Sequence, residues 1–137
     1  MKKLITILFS IICVIAVFHM VFNAVFMVDL SSVQSAQLKY NDGNGTEIAC
    51  AVDYADVKEL TAILKGVKFS DDPSCSFGED VSITFCLGDD YITLCPACDG
   101  CPLMQVGDGD YYIKLTDAER SRFNEIVKKY GMVFPCI

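Results

Sequence analysis

Cys95-Pro96-Ala97-Cys98-Asp99-Gly100-Cys101 places three thiols within seven residues. Thiols at this spacing can pair as disulfides, hold a soft metal as thiolates, or exchange with other disulfides. Cys-Pro-x-Cys is the knuckle of tetrahedral thiolate zinc, and Cys101 with Cys86 completes a four-ligand set. Cys95 and Cys98 also have the CxxC spacing of thiol–disulfide oxidoreductases, in which a helix N-terminus lowers the first thiol's pKa. Here Gly100 and Pro102 oppose a helix start, and Asp99 adds a charge that disfavours a thiolate. The C-x2-C-x2-C run followed by Pro102 matches part of the bacterial ferredoxin pattern, but Gln105 stands near the position of the fourth ligand. Structural disulfides are the main expectation, and a thiol metal site or redox-active pair is the alternative. The choice depends on which side of a membrane these residues occupy.

Residues 4–28 carry no Asp, Glu, Lys or Arg. As a helix they rise about 37 Å, enough to cross a hydrocarbon core of about 30 Å with tilt. Lys2 and Lys3 precede the segment and Asp29 follows it. The positive-inside rule therefore expects a cytoplasmic N-terminus, a single pass through the cell membrane, and an extracytoplasmic main domain. A cleaved signal sequence is the rival, but its apolar core usually runs about 7–15 residues before a small-residue cleavage site. In this chain the better small-residue sites follow Asp29, near Val33-Gln34-Ser35. His19 and Asn23 share one helix face, a spacing that suits local hydrogen bonding or helix association.

Charge and composition narrow the function classes. Lys2 and Lys3 are the sole Lys or Arg before Asp29, so the exported part holds nine Lys/Arg against eighteen Asp/Glu, a net charge of −9. Such a field opposes binding to nucleic acid and to anionic lipid. The one histidine, His19, lies in the apolar segment. Ser-His-Asp and Cys-His nucleophiles and His-ligated zinc are thus excluded from the exported domain. No constellation of carboxylates or lysines stands out for catalysis, so neither an enzyme activity nor a cofactor is expected. Asp71-Asp72, Asp89-Asp90 and Asp108-Gly109-Asp110 lack the spaced oxygen ligands of a calcium loop and read as solvated turns.

The elements that position the thiols follow from periodicity. The expected organisation is an anchor or signal sequence over 1–28, a linker over 29–36, and a cysteine-rich domain over 37–137. Leu38 and Tyr40 alternate, Asn41 to Gly45 form a turn, and Ile48, Cys50 and Val52 share a face, which together predict a hairpin. Asn44-Gly45-Thr46 is also a glycosylation sequon, although the turn accounts for it. Asp53 is placed to cap a helix over about 54–65, striped by Val57, Leu60, Ile63 and Leu64 and stopped at Gly66. Val81, Ile83, Phe85 and Leu87, then Ile92 and Leu94, alternate around a Gly88-Asp89-Asp90 turn. Further strands are expected over 103–106 and 110–115. Thr116 and Glu119 have capping-box spacing before a helix striped by Phe123, Ile126, Val127 and Tyr130 and ended at Gly131. The expected fold class is α+β: a single N-terminal transmembrane helix, then a small antiparallel sheet with two helices packed on one face.

Strand alternation also assigns the cysteines. If Ile83, Phe85, Ile92 and Leu94 face the helices, Cys86 and Cys95 point the other way with Thr84 and Thr93. That second face is expected to be covered, with the 96–102 loop folding across it. Cys50 falls among core residues and is expected to be free and buried. The disulfide candidates are therefore Cys75, Cys86, Cys95, Cys98, Cys101 and Cys136, for which fifteen pairings exist. A bridge from Cys136 would tether the chain's tail. The reading is a membrane-anchored extracytoplasmic domain, stapled by disulfides, that binds a protein or small-ligand partner without chemistry of its own.

Overall fold

The computed structural model describes residues 2–70, 73–78 and 81–133, with side chains outside residues 2–4 and 23–25. The architecture is α+β: three helices and one six-stranded antiparallel sheet. The first helix, α1 (Lys2–Phe26), contains the apolar window Ile5–Phe22, with a mean hydropathy of 2.7 and no buried residue. It is long and apolar enough to span a membrane. Asn23, expected to share a face with His19, has its side chain outside the described residues.

The strands are β1 (Ser35–Asn41), β2 (Glu47–Ala51), β3 (Ser82–Leu87), β4 (Asp90–Pro96), β5 (Leu103–Val106) and β6 (Tyr111–Lys114). Their order across the sheet is β2-β1-β3-β4-β5-β6. Each neighbouring pair is antiparallel, as short connections require. The β3–β4 hairpin turns through two residues, Gly88 and Asp89, and Gly88 supplies the positive φ (+80°) that such a turn needs. In the β1–β2 turn the Asn41 and Asp42 side chains accept backbone N–H groups from residues 43–46, which fixes the loop that the sequon occupies.

Register places Leu38, Ile83, Leu94, Met104 and Ile113 on one face. They form a single hydrophobic core with Val57 and Leu60 of α2 (Tyr54–Ile63) and Phe123, Ile126 and Val127 of α3 (Asp117–Lys128). The α3 capping box is complete: the Glu119 N–H donates to Thr116 Oγ1 at 3.2 Å, and the Thr116 N–H donates to Glu119 Oε2 at 2.8 Å. Asp53 occupies the N-cap of α2 with an extended backbone, but its side chain caps nothing. Its N–H donates instead to Tyr130 Oη, 2.9 Å away at the end of α3.

That tyrosine belongs to a polar lock between the helices. Asp56, 8% exposed, accepts from Lys129 Nζ at 2.6 Å and from Tyr130 Oη at 2.7 Å. These hydrogen bonds hold its carboxyl below the usual carboxylate range, Lys129 contributing most. The Tyr40 hydroxyl of β1 donates to the Tyr130 carbonyl at 2.6 Å, joining the sheet to the same point. Nearby, Arg122 of α3 forms a two-pronged ion pair with Glu59 of α2.

The junction between α1 and the sheet is held by backbone hydrogen bonds. The Val28 N–H donates to the Gly66 carbonyl at 3.1 Å, and the Lys68 N–H donates to the Phe26 carbonyl at 2.6 Å. Phe69 exchanges both of its backbone bonds with Tyr112, at 2.9 Å each, so residues 66–69 lie between β6 and the end of α1. Val28 and Leu30 are buried in the core, the latter within the stretch read as a linker.

Candidate functional site

The cysteine loop occupies one end of the sheet, and α1 arrives at the other. Met27 and Val28 share a cavity with Ile92 and Val106, at the start of β4 and the end of β5. The cysteine loop joins the opposite ends of the same strands, Pro96 and Leu103. Six residue steps along β4 separate the two ends by about 20 Å.

Cys75 and Cys101 form a disulfide, with Cα atoms 6.2 Å apart across 26 residues of sequence. The backbone brings them together. Phe77 bridges Ala97, and the Cys98 N–H donates to the Ser76 carbonyl at 2.8 Å, so the incoming segment runs antiparallel to the loop. Asp99 braces the pair from outside: its carboxylate accepts the Ser76 N–H at 3.0 Å and the Cys101 N–H at 3.1 Å. Those two bonds, the one from Ser76 foremost, hold the Asp99 carboxyl below its ordinary value. Cys75, Asp99 and Cys101 have ligand atoms within 4.8 Å of one another, but both sulfurs are joined to each other. A metal could therefore bind this trio as thiolates only after reduction.

The remaining sequence candidates lie apart from that bond. Cys86, Cys95 and Cys98 are half-buried free thiols, as is Cys50, and Cys13 is exposed on α1. Cys136 lies outside the described residues. Of the four thiols considered for a metal, Cys101 is thus joined to Cys75. Cys95 lies inside β4, next to Pro96, so no helix begins at the CxxC motif. Burial pushes the Cys95 thiol up, and neighbouring Cys98 adds to the effect. Burial likewise raises Cys50. Such shifts disfavour the thiolate that exchange chemistry requires.

The face bearing Cys86 and Cys95 is half-covered. Thr84 and Thr93 are hydrogen-bonded to each other there at 3.1 Å. The expected 96–102 loop is not what meets this face at its β6 side. Phe69 and Phe77 arrive instead, their rings 6.0 and 5.3 Å from that of Tyr112. Phe69 is held there by its bridge to Tyr112, and Phe77 by its bridge to Ala97 beside the disulfide.

The 96–103 loop lines a cleft of about 320 Å³ against the first turns of α3. Its apolar floor includes Leu103, Met104, Leu115 and Phe123, and its rim carries Arg120, Ser121 and Asn124. Arg120 fixes the rim to the loop by donating to the Gly100 carbonyl at 2.5 Å, with Asp117 3.4 Å away on its other side. An apolar floor with a few convergent polar groups is the usual form of a ligand or peptide pocket. Arg120 escaped the sequence reading because nothing local distinguishes it from a solvated helix arginine. Phe77 escaped because it lies outside any periodic segment. No family model, curated protein or solved structure gives a significant match to this chain.

Proposed function

We propose that this chain is a membrane-anchored, extracytoplasmic binding domain that presents the cleft between its cysteine loop and α3 to a partner. In this reading α1 is a single-pass anchor with a cytoplasmic N-terminus, and α2 and α3 back one face of the sheet. The observation that carries it is the position of the cleft. It opens at the sheet end remote from α1, beside a disulfide that stiffens one wall, with an arginine joining that wall to the other. The disulfide suits an oxidising compartment, which agrees with the location that the basic N-terminus implies. The raised Cys95 thiol and the absence of a helix at CxxC favour binding over thiol exchange.

A photo-crosslinking amino acid at Asn124, on the cleft rim, tests the reading in intact cells, with Glu47 on the edge strand β2 as the comparison site. A discrete adduct formed from position 124 and absent from 47 is the expected result. Equal labelling from both, or thiol-dependent reductase activity lost in Cys95→Ser with the fold retained, would reject it.

A further inference from the structure

We infer that the end of the domain around the α1 exit is a membrane-docking collar, seated on the zwitterionic phospholipid headgroups of the outer leaflet. This inference rests on the reading of α1 as a transmembrane anchor. The distance between anchor and domain is fixed by backbone hydrogen bonds on both sides of Met27, and by Val28 and Leu30 buried in the core. The domain therefore cannot float away from the bilayer on a slack tether.

Depth follows from helix geometry. A hydrocarbon core of about 30 Å entered at Ile5 holds about 20 residues and ends near residue 24. Met20, inside that limit, lines one cavity of about 750 Å³ with Thr61 and Lys65, at and beyond the end of α2. Lys65 must then lie at the level of the outer headgroups. In a second cavity, of about 640 Å³, Met27 is joined by Lys68 and Tyr91. Both spaces have a methionine wall, one lysine and Asp29, and the second adds the carboxylate of Asp108. An ammonium for the phosphate and a carboxylate for the choline or ethanolamine match a zwitterionic headgroup better than a purely anionic one. The domain's net acidity points the same way.

The surrounding side chains fit the interface. Tyr91 is 73% exposed, and Tyr111 and Val67 are about half exposed; Lys68 lies 5.6 Å from the Tyr111 ring. Tyrosines beside lysines at the end of an apolar helix are the residues that settle at headgroup level, with lysine stems snorkelling toward the phosphates.

The chain has no tryptophan, so single-tryptophan variants report depth without background. Full-length Tyr91→Trp, Val14→Trp and Asn44→Trp proteins would be reconstituted in phosphatidylcholine vesicles carrying nitroxide either on the headgroup or at mid-chain. Position 44 lies in the β1–β2 turn, about 20 Å along β1 from the level of Tyr91. The expected result is headgroup quenching at 91 at least twofold above that at 44, with mid-chain quenching at 14. Equal headgroup quenching at 91 and 44, with 14 still quenched mid-chain, would overturn the collar and leave the anchor standing. Loss of mid-chain quenching at 14 would overturn the anchor, and the collar with it.

Discussion

Replacing Cys75 and Cys101 together by serine removes a cross-link that closes a 26-residue loop. In the chain-entropy description such a loop restricts the unfolded ensemble by about 3.5 kcal/mol at 25 °C. With a urea m-value of about 1.5 kcal/mol/M for a domain of this size, the midpoint should fall by about 2 M. The assay is urea unfolding of the full chain in detergent, followed by near-ultraviolet circular dichroism of its tyrosines. Each single variant should lose nearly as much as the double, because either one abolishes the same bond. Alkylation before and after reduction, read by peptide mapping, should show Cys75 and Cys101 becoming reactive only after reduction. A midpoint shift below about 0.5 M in the double variant, or additive losses from the singles, would refute the assignment of this disulfide as the staple of the cysteine loop.

Three further outcomes are expected. Asp56→Ala strips the Tyr130 hydroxyl of its acceptor and Lys129 of its counter-charge. The loss should be about 2 kcal/mol and lower the melting temperature by roughly 10 °C in differential scanning calorimetry. Gly131→Ala should cost more than about 1 kcal/mol, because φ is +94° and the added Cβ would lie 2.6 Å from Tyr40 Oη; unchanged stability would contradict that geometry. Asp99 has a lowered folded-state pKa, so its contribution is present above its unfolded pKa and is lost as pH falls through the folded value. The stability difference between wild type and Asp99→Asn should therefore be full at pH 6 and shrink below about pH 4. A difference independent of pH would show that the charge has no part in bracing the loop.

The two strand alternations, the helix stripes and the Thr116–Glu119 box were legible because each is a local pattern whose period or spacing matches one backbone geometry. The long apolar segment was equally legible, since length and hydropathy are properties of the chain itself. Asp53 shows the limit of local signals. Its place before α2 was readable, but its side chain caps nothing, and its backbone N–H goes to Tyr130, 77 residues away. Nothing local singled out Asp56, whose partners Lys129 and Tyr130 are brought to it by α3.

The cysteines divide in the same way. Composition and the apolar segment set the expectation of disulfides, while alternation put Cys86 and Cys95 on the face away from Leu94. The choice of Cys101 as partner for Cys75 came from the antiparallel meeting of residues 75–77 with 97–98. That meeting depends on how a long connection crosses the sheet, which no spacing encodes. The cleft lies between α3 and a loop held by the disulfide and by the Arg120 hydrogen bond to Gly100. The sequence by itself determined the elements and the chemical classes available, since these follow from neighbouring residues. Tertiary structure decided which distant groups share a few ångströms, because those meetings depend on how segments far apart in sequence pack.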